Sequence, residues 1–411
     1  MKIVHLSYKD DQEGAAIAVD RLCEALNSSG FDSKILVQKR VSGKKYSELI
    51  TNSNSGKLKS YLRVAFDLLI NRALCTSSDV YFSFPFIGKN ICNNILVKNS
   101  DVIHVHWVNR GFQSLNSLNK LIELGKPVII TLHDSWYLTG GCHMVGSCTQ
   151  FKYDCANCPS VRSRWIPKYF LKRKKKIFFN ENVHFTAPST WSRSIALASS
   201  VTNKKLVHVI PNCIDTELFK PMSTVDSRAL FSLSLEKHIV LVNVTNDPRK
   251  GVEYIKEAIR LMVGLRNDVI FVGFGAHSLE GGVFEGLPIQ LVGRINDKYS
   301  MAMLYNAASV LLSPTLEEPF GQTFIESMSV GTPCVAFNHS GPVDIVSHKE
   351  NGYLARFGDV EDIVTGLNYC LVENERLAVN SRNRVLDSFS YKVVSESLSK
   401  IYTSVCLDNE N

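Results

Sequence analysis

Residues 310–335 read VLLSPTLEEPFGQTFIESMSVGTPCV, and this stretch decides the fold class of the chain. The apolar run Val310–Leu312 predicts a buried parallel strand, and a loop follows it. Gly321 is placed to open a helix, Gly331–Pro333 to end it, and Cys334–Phe337 to form the next strand. In open α/β sheets ligands bind at the carboxyl ends of the strands. The stretch therefore predicts an α/β fold with a binding site after its first strand.

Two carboxylates flank the start of the predicted helix. Glu318 lies in the loop before it and Glu326 lies about one turn inside it, so both side chains can face one crevice. The backbone N–H groups near Gly321, Gln322 and Thr323, with the positive end of the helix dipole, favour a phosphate or a polar sugar. Since a carboxylate accepts paired hydrogen bonds from vicinal hydroxyls, the pattern suits a sugar nucleotide. On spacing alone, two surface glutamates near a helix start remain the other interpretation.

The run EPFGQTFIE from Glu318 to Glu326, followed by SMSVGTP, resembles the E-x7-E signature of retaining glycosyltransferases of family 4, which have the GT-B fold. The resemblance covers the whole chain in pieces, and its C-terminal part is specific. It implies an α/β chain with two Rossmann-like, doubly wound domains that face a central cleft. It also implies that Glu326 binds the ribose of the nucleotide and that Glu318 contacts the transferred sugar. Glu317 is adjacent, but the eight-residue separation from Glu326 favours Glu318.

The whole chain has the length and composition of a two-domain protein. At 411 residues it exceeds one ordinary core. We expect an acceptor-side domain over 1–210, a nucleotide-sugar-binding domain over 211–390, and a last helix over 391–411 that returns to the first domain, as it does in the resembled family. The net charge of +7 is modest, so charge alone does not imply nucleic acid. No apolar run reaches the length of a membrane span, and the N-terminus lacks a signal-peptide pattern, so we expect a cytoplasmic protein.

The N-terminal half carries one site candidate from the resemblance and three residues of open interpretation. His133 follows a predicted strand, where the family places a histidine near the donor sugar. Gly14 stands in the first loop, where relatives carry a glycine pair that approaches donor and acceptor; here Glu13 replaces the first glycine, and a glycine near a helix start is the other interpretation. His104 and His106 alternate onto one face of a strand. They could be a pair of metal ligands or, more simply, side chains that line the cleft.

Four cysteines, Cys142, Cys148, Cys155 and Cys158, lie within 17 residues and close with a C-x-x-C pair. Thiolates at such spacing can hold a tetrahedral Zn²⁺, and a glycine-rich loop without periodicity would gain order from it. His143 could replace one ligand, and the first spacing is wider than that of a standard zinc knuckle. Free buried thiols or a redox pair are the alternatives. The surrounding run HDSWYLTGGCH resembles a branch of the family associated with bacterial exopolysaccharide and O-antigen assembly, which implies the acceptor class and not the donor.

Residues 162–176, RSRWIPKYFLKRKKK, hold eight basic residues and no acidic one, with Trp165, Tyr169 and Phe170 among them. A solvated helix face is the usual interpretation. Nucleic-acid binding lacks an accompanying recognition fold. Contact with an anionic membrane, as a peripheral protein, fits an enzyme whose acceptor is lipid-linked. A second polar segment, 42–59, is rich in Ser, Lys, Asn and Gly and predicts an exposed loop.

The C-terminal half offers a candidate site for a diphosphate. Arg249 and Lys250 precede Gly251 at the predicted start of a helix, where Arg supplies a bidentate fork and Lys a point charge. They would neutralise the leaving diphosphate, as the basic pair does in the family, so that catalysis needs no metal or other cofactor. A surface charge pair on a turn is the alternative. Gly273, in a bare G-x-G after a strand, and Arg294, at the end of the next strand, are further candidates for contact with the nucleotide sugar.

The resemblance implies a retaining hexosyltransferase. It would move a sugar from a UDP- or GDP-linked donor to a lipid-linked saccharide in bacterial surface polysaccharide synthesis, such as that of O-antigen or lipopolysaccharide. In the family the attack is described as front-face, so His133 need not be a general base. A protein that binds sugar nucleotides without catalysis and a sugar-nucleotide epimerase on the same fold are the alternatives.

Overall fold

The computed structural model describes residues 1–76, 81–202, 205–282 and 284–410, without the side chains of 408–410. The chain forms two compact units, one of Met1–Cys213 with Val394–Asn411 and the other of Ile214–Val393. The breaks lie a few residues beyond the boundaries at 210 and 390 that the sequence suggested. The last segment belongs to the first unit.

The first unit is built around a parallel sheet. Its strands are β1 (Lys2–Lys9), β2 (Asp32–Lys39), β3 (Ser47–Leu49), β4 (Val102–Val105), β5 (Val128–Thr131), β6 (Val183–Ala187) and β7 (Val207–Val209). Its helices are α1 (Gly14–Ser28), α2 (Asn54–Leu74), α3 (Ile95–Asn99), α4 (Leu115–Ile122), α5 (Trp165–Phe178) and α6 (Thr190–Ala198). Within the described residues the strand order is β3-β2-β1-β4-β5-β6-β7. The order reverses between β1 and β4, and the carboxyl ends of these two strands form the edge where such sheets bind ligands.

The second unit repeats this plan. Its strands are β8 (His238–Asn243), β9 (Val269–Phe274), β10 (Ile289–Gly293), β11 (Val310–Leu312), β12 (Cys334–Phe337) and β13 (Gly352–Ala355). Its helices are α7 (Thr224–Leu230), α8 (Val252–Leu265), α9 (Lys298–Ala307), α10 (Gln322–Ser329), α11 (Val360–Val372) and α12 (Asn374–Ser388). In the part of the chain that the structure describes, these strands form a parallel sheet ordered β10-β9-β8-β11-β12-β13. The order reverses between β8 and β11. The predicted class, two Rossmann-like α/β domains, is confirmed.

Strand β8 shows how the sheet separates two layers of core. Ile239 and Leu241 pack into a hydrophobic cluster with residues of α9 and α10. Val240 and Val242 pack into another cluster, with residues of α8 and α11. Because successive side chains of a strand point to opposite faces, a run of consecutive apolar residues is what a strand covered on both faces requires.

The loops after β8 and β11 approach each other closely at the point of reversal. Gly251 has a φ of +72°, and a Cβ added to it would stand 1.9 Å from the carbonyl oxygen of Pro314. The N–H of Leu316 donates to the carbonyl of Arg249 at 2.8 Å. Glycine is therefore required at 251 both by its backbone conformation and by the neighbouring chain.

The predicted loop over 42–59 is wrong in part, because β3 and the start of α2 fall inside it. Ser53 caps α2, and its side chain accepts from the N–H of Gly56 at 3.2 Å. Most of the large apolar residues of α2 face solvent, and Val64, Ile70 and Leu74 pack against the core. Among the described helices, none has the length and hydropathy that a bilayer-crossing segment requires.

The last helix, α13 (Tyr391–Glu410), joins the core of the first unit. Leu398 and Tyr402 of α13 are buried in a cluster with Ile3 of β1 and Val102 of β4. The chain therefore enters the second unit and returns to complete the first.

Gly251→Ala should destabilise the second unit, because the new methyl group would overlap the Pro314 carbonyl and alanine disfavours this φ. We expect the free energy of unfolding to fall by about 2 kcal/mol or more, measured by urea denaturation. Gly264→Ala is the matched control, since Gly264 lies in α8 with nothing within 4 Å of an added Cβ. That control should gain about 0.5–1 kcal/mol. Equal responses of the two variants would contradict the close approach of the loops.

Candidate active site

An ion pair joins the loops after β8 and β11. Nζ of Lys250 lies 2.5 Å from Oε2 of Glu318, and the two side chains are 37% and 20% exposed. An ion pair that solvent reaches contributes little to stability. The pair can therefore open, and an anionic ligand could take the place of the Glu318 carboxylate on Lys250.

Arg249 is held by a carboxylate that the sequence analysis missed. Its Nε donates to Oδ1 of Asp247 at 3.1 Å and its Nη2 to Oδ2 at 2.6 Å. Burial raises the pKa of Asp247, but the hydrogen bonds and charge of Arg249 outweigh this effect and the pKa lies below its ordinary value. Asp247 also accepts from the backbone N–H of Arg249 at 3.0 Å. An Asp two residues before the basic pair, ahead of a proline, was the signal available in the sequence.

Glu326 is buried in α10 and has a partner on α9. Its Oε2 accepts from the hydroxyl of Tyr305 at 2.9 Å. The predicted acidic residue is therefore held at a fixed place in the unit. Tyr305 was not predicted, because nothing in the local pattern of α9 distinguishes it from a core residue.

The start of α10 lies against Glu318. Gly321 caps the helix with a φ of +110°, and a Cβ there would be 3.6 Å from Cγ of Glu318 and 2.5 Å from the ring of Phe324. Gln322 and Thr323 form the first turn, which no side chain caps. The structure thus places the predicted helix start beside Glu318, where the backbone N–H groups and the helix dipole favour a negative charge.

Two residues after β12 fix the backbone of Glu318. The N–H of Gly341 donates to the carbonyl of Glu318 at 2.8 Å, and Oγ of Ser340 accepts from the N–H of Glu318 at 3.2 Å. A Cβ on Gly341 would lie 2.6 Å from Cα of Phe320, and Ser340 has the strained φ of +57°. Strain that persists at such a position is typical of functional sites. In the sequence, the Ser-Gly-Pro run at residues 340–342 was the feature that could have indicated this contact.

The remaining candidates of the second unit lie at the same edge of its sheet. Gly273 is in β9, where a Cβ would lie 2.6 Å from Val244, so strand packing alone requires this glycine. Arg294 is exposed directly after β10. A cavity of about 330 Å³ opens beside them between the segments that follow β8 and β9, and its lining includes Asn246 and Gly275.

In the first unit, Gly14 opens α1 and is not required by packing. Nothing lies within 4 Å of an added Cβ. Glu13, which stands where relatives have a glycine, accepts from Nζ of Lys9 at 2.7 Å. A role for Gly14 in ligand contact stays a prediction.

His133 ends a chain of hydrogen-bonded imidazoles. Its Nε2 lies 2.9 Å from Nδ1 of His106, Nε2 of His106 lies 2.9 Å from Nδ1 of His5, and Nε2 of His5 lies 3.0 Å from Oγ of Ser33. Burial lowers the pKa of His5 to about 3 and that of His133 to about 4. A neutral imidazole has one N–H, so the three rings must carry their protons in the same sense along the chain. The tautomer of His133 is therefore coupled to rings deep in the core.

His104 belongs to the same buried cluster. Its ring nitrogens lie 2.6 Å from the Tyr402 hydroxyl and 2.7 Å from Oγ1 of Thr131. Nitrogens of His5, His104 and His106 come within 4.8 Å of one another, but each nitrogen of the three rings has a hydrogen-bond partner in the protein. The cluster is thus a satisfied polar core. The expectation that His104 and His106 line a cleft is wrong, because both are buried.

The structure brings two of the four clustered cysteines into contact. The hydrogen bond from Cys142 lowers the pKa of Cys158 to about 6, against the effect of burial. Cys155 is buried and Cys148 is partly exposed. Among the described residues, His5, His104 and His106 form a group of potential metal ligands whose ligand atoms all lie within 4.8 Å of one another. The four cysteines do not form such a group. The structural zinc therefore stays a prediction.

Comparisons with known proteins agree with this architecture. Among solved structures, sucrose-phosphate synthase from Thermosynechococcus elongatus is similar with a TM-score of 0.68 and 19% identity, covering 98% of both chains. Anabaena Alr3699/HepE in complex with UDP-glucose is similar with a TM-score of 0.65 and 18% identity, covering 98% of this chain and 100% of that one. The two Rossmann-like units thus have the GT-B fold.

Sequence comparison gives the family. The family model described as Glycosyltransferase Family 4 matches residues 13–218, and the model described as Glycosyl transferases group 1 matches 236–373. The chain belongs to glycosyltransferase family 4.

Curated relatives connect the family to bacterial polysaccharides. The UDP-Gal:alpha-D-GlcNAc-diphosphoundecaprenol alpha-1,3-galactosyltransferase of Escherichia coli is 21% identical over 352 residues, 79% of this chain and 84% of that protein. The capsular polysaccharide glycosyltransferase CapM of Staphylococcus aureus is 24% identical over 172 residues, 39% of this chain and 44% of that protein. The match with CapM thus spans less than half of that relative.

The buried imidazoles predict how stability depends on pH. The pKa of His5 is about 3 in the folded chain and about 6.5 when unfolded, so below pH 6.5 only the unfolded chain takes up this proton. Stability should fall as the pH drops through this window. In His5→Asn, the slope between pH 6 and 4 should be smaller by about 1.4 kcal/mol per pH unit. Urea denaturation at several pH values measures it. The exposed His277→Asn is the control, and an unchanged slope in His5→Asn would contradict a neutral His5.

Proposed function

We propose that the protein is a retaining hexosyltransferase that moves a sugar from a UDP-linked donor to a lipid-linked saccharide during bacterial surface polysaccharide synthesis. The observation that carries the proposal is the exchangeable Lys250–Glu318 pair at the reversal point of the second sheet. It combines a cation for the diphosphate, a carboxylate for sugar hydroxyls and a helix start between them.

The basic pair would act on the leaving group. When the glycosidic bond breaks, negative charge grows on the diphosphate, and cations aimed at it lower the barrier without a metal ion. Lys250 supplies a point charge once Glu318 turns to the sugar. Arg249, already paired in fork geometry with Asp247, presents the donor geometry that matches a phosphate.

Glu326 would bind the ribose. A carboxylate has two oxygens with about four lone-pair sites, so it can accept hydrogen bonds from several donors at once. Vicinal ribose hydroxyls can donate to those sites. Burial of Glu326 strengthens such bonds, because the surroundings have a lower dielectric constant than water.

His133 is the candidate of the first unit, assigned to the transferred sugar. It is partly exposed, and within the described residues its hydrogen bond to His106 uses Nε2. Nδ1 is thus available for a hydroxyl group. Burial lowers the pKa of His133 to about 4 and so keeps the ring neutral, which suits a hydrogen bond to a sugar hydroxyl.

The relatives support the donor and the acceptor class. The E. coli relative is named for a UDP-linked sugar and a diphosphoundecaprenol acceptor. HepE was solved with UDP-glucose, and WaaG, named for lipopolysaccharide biosynthesis, is also similar, with a TM-score of 0.58. These names motivate UDP over GDP and a lipid-linked acceptor for this chain.

A thermal-shift panel tests the donor. UDP-sugars should raise the melting temperature and GDP-sugars should not, because a ligand that binds only the folded state stabilises it. The shift should survive a chelator if donor binding uses Lys250 and Arg249 instead of a metal. No response to any sugar nucleotide would contradict the proposal. Conversion of the donor to an isomeric sugar nucleotide without acceptor would indicate an epimerase instead.

Lys250→Ala should lower kcat by about 100-fold or more, because one group that stabilises transition-state charge is removed. Arg260→Ala, which removes a cation from the solvent-exposed Arg260–Glu257 pair of the same unit, should retain wild-type kinetics. The assay is release of UDP in the presence of acceptor. Wild-type turnover in Lys250→Ala would contradict the assignment of the diphosphate site.

Glu326→Gln should weaken donor binding, with the main effect on KM. The amide can accept fewer hydrogen bonds from the ribose and carries no charge, so a loss of about 10-fold in affinity is expected, the equivalent of about 1.4 kcal/mol. Tyr305→Phe should show a smaller loss in the same direction, because the Glu326 carboxylate loses the hydroxyl that holds it in place. Isothermal titration with UDP measures both, and unchanged affinity in Glu326→Gln would contradict the ribose assignment.

A further inference from the structure

Helix α2 exposes an apolar stripe on its outer side. Val64, Ile70 and Leu74 pack against the core, but Tyr61 is 73% exposed and Leu69 is 64% exposed, while Asp67 is only 4% exposed. The exposed apolar residues are Leu58, Tyr61, Leu62, Phe66, Leu68 and Leu69. Contiguous apolar surface of this kind on a folded protein marks a place of interaction.

Polar contacts on its inner side fix this orientation. Nε of Arg63 donates to the carbonyl of Gly111 at 3.0 Å, and its Nη2 donates to Oγ of Ser60 at 2.8 Å and to Oε1 of Gln38 at 3.3 Å. Gly111 approaches so closely that a Cβ on it would lie 2.9 Å from Cβ of Arg63. A rotation of α2 that buried its apolar face would break all of these bonds.

The exposed charges of α2 are basic. Lys57, Lys59 and Arg72 are exposed, whereas the acidic residue of the helix, Asp67, is buried. The apolar stripe is therefore bordered by positive charge alone on its own helix.

The end of α2 adjoins the basic segment that the sequence singled out. The N–H of Arg162 donates to the carbonyl of Leu74 at 2.9 Å, and that of Thr76 to the carbonyl of Ser160 at 3.1 Å. In α5, which starts at Trp165, both Trp165 and Tyr169 are exposed. Phe170, which the sequence grouped with them, is buried in the core.

The basic residues of α5 lie at an open groove. Lys172, Arg173, Lys175 and Lys176 line it together with Tyr169 and Phe179. Several of the basic residues also have partners within the protein. Lys168 pairs with Asp154 at 2.8 Å, Arg173 donates to Asn116 at 2.6 Å, Lys175 donates to the carbonyl of Tyr153 at 3.0 Å, and Lys174 is buried over the ring of Trp136 at 3.8 Å.

The positive charge around the apolar stripe indicates which kind of partner covers it. A second copy of this chain would set the same positive residues against each other, which costs free energy. A nucleic acid would use the basic residues and leave the apolar stripe uncovered. A bilayer with anionic headgroups accepts apolar side chains in its acyl boundary and basic side chains at its surface, so it matches both features.

We propose that α2 is the element that docks this enzyme on an anionic lipid bilayer, with its apolar stripe inserted and the basic residues of α2 and α5 against the headgroups. The inference deepens the proposed function, since a lipid-linked acceptor lies in such a bilayer. In this arrangement α2 inserts into the bilayer. Residues 162–176, which the sequence analysis linked to membrane contact, only supply basic residues to the headgroups.

Vesicle flotation of the full chain tests the proposal. Wild-type protein should float with vesicles of phosphatidylcholine and phosphatidylglycerol, and much less with phosphatidylcholine alone. The double variant Leu62→Asp with Leu69→Asp should lose at least 10-fold in partition, because both residues are exposed and a carboxylate opposes insertion. The matched control places Asp at Leu235 and Leu265, exposed leucines of the second unit, and should float as the wild type does.

Three outcomes would overturn the proposal. The first is wild-type flotation of the α2 variant. The second is loss of flotation in Lys172→Glu with Arg173→Glu while the α2 variant still floats, which would assign docking to α5. The third is a wild-type dimer by analytical ultracentrifugation that the α2 variant converts to monomer, which would assign the stripe to a second copy.

Donor titration separates this inference from the proposed function. The α2 variant should bind UDP with wild-type affinity, because the titration involves only the soluble nucleotide. Donor binding without flotation would overturn the docking surface and leave the transferase proposal standing. Flotation without donor binding would contradict the transferase proposal and leave the docking surface standing.

Discussion

The approach of the loop after β8 to the loop after β11 is the constraint on which the candidate site depends. Gly251 packs against the carbonyl of Pro314, and this close contact between the loops places Lys250 beside Glu318. The backbone of Glu318 is then fixed from a third side by the strained Ser340 and by Gly341. Three loops that follow neighbouring parallel strands thus converge on one carboxylate. Such convergence requires parallel strands, because only they bring their carboxyl ends to one edge.

The first unit has a network of buried histidines at the corresponding edge of its sheet. Its strands β1 and β4 carry His5, His104 and His106 into the core, where hydrogen bonds satisfy each ring nitrogen. A fully satisfied polar network of this kind specifies one arrangement of the core. It also connects the interior to His133, so the tautomer of a candidate ligand contact is coupled to buried residues.

Much of the fold could be predicted because its signals are local. The apolar run, the glycine and the Gly-Thr-Pro stop define β11, α10 and β12, and the structure has them at those places. Partners distant in sequence could not be predicted. Tyr305 reaches Glu326 only through the packing of α9 on α10. Helix α2 was missed for another reason: its apolar periodicity faces solvent, and a pattern alone does not say which side of a helix is covered.

If a diphosphate replaces Glu318 on Lys250, UDP binding to Glu318→Gln will show it. Removing the carboxylate frees Lys250 and removes a negative charge from beside the phosphates. We expect Glu318→Gln to bind UDP at least as tightly as the wild type in isothermal titration, although its turnover with a complete donor falls. UDP affinity about 10-fold weaker in Glu318→Gln would show that the carboxylate supports the nucleotide site, and would contradict the exchange.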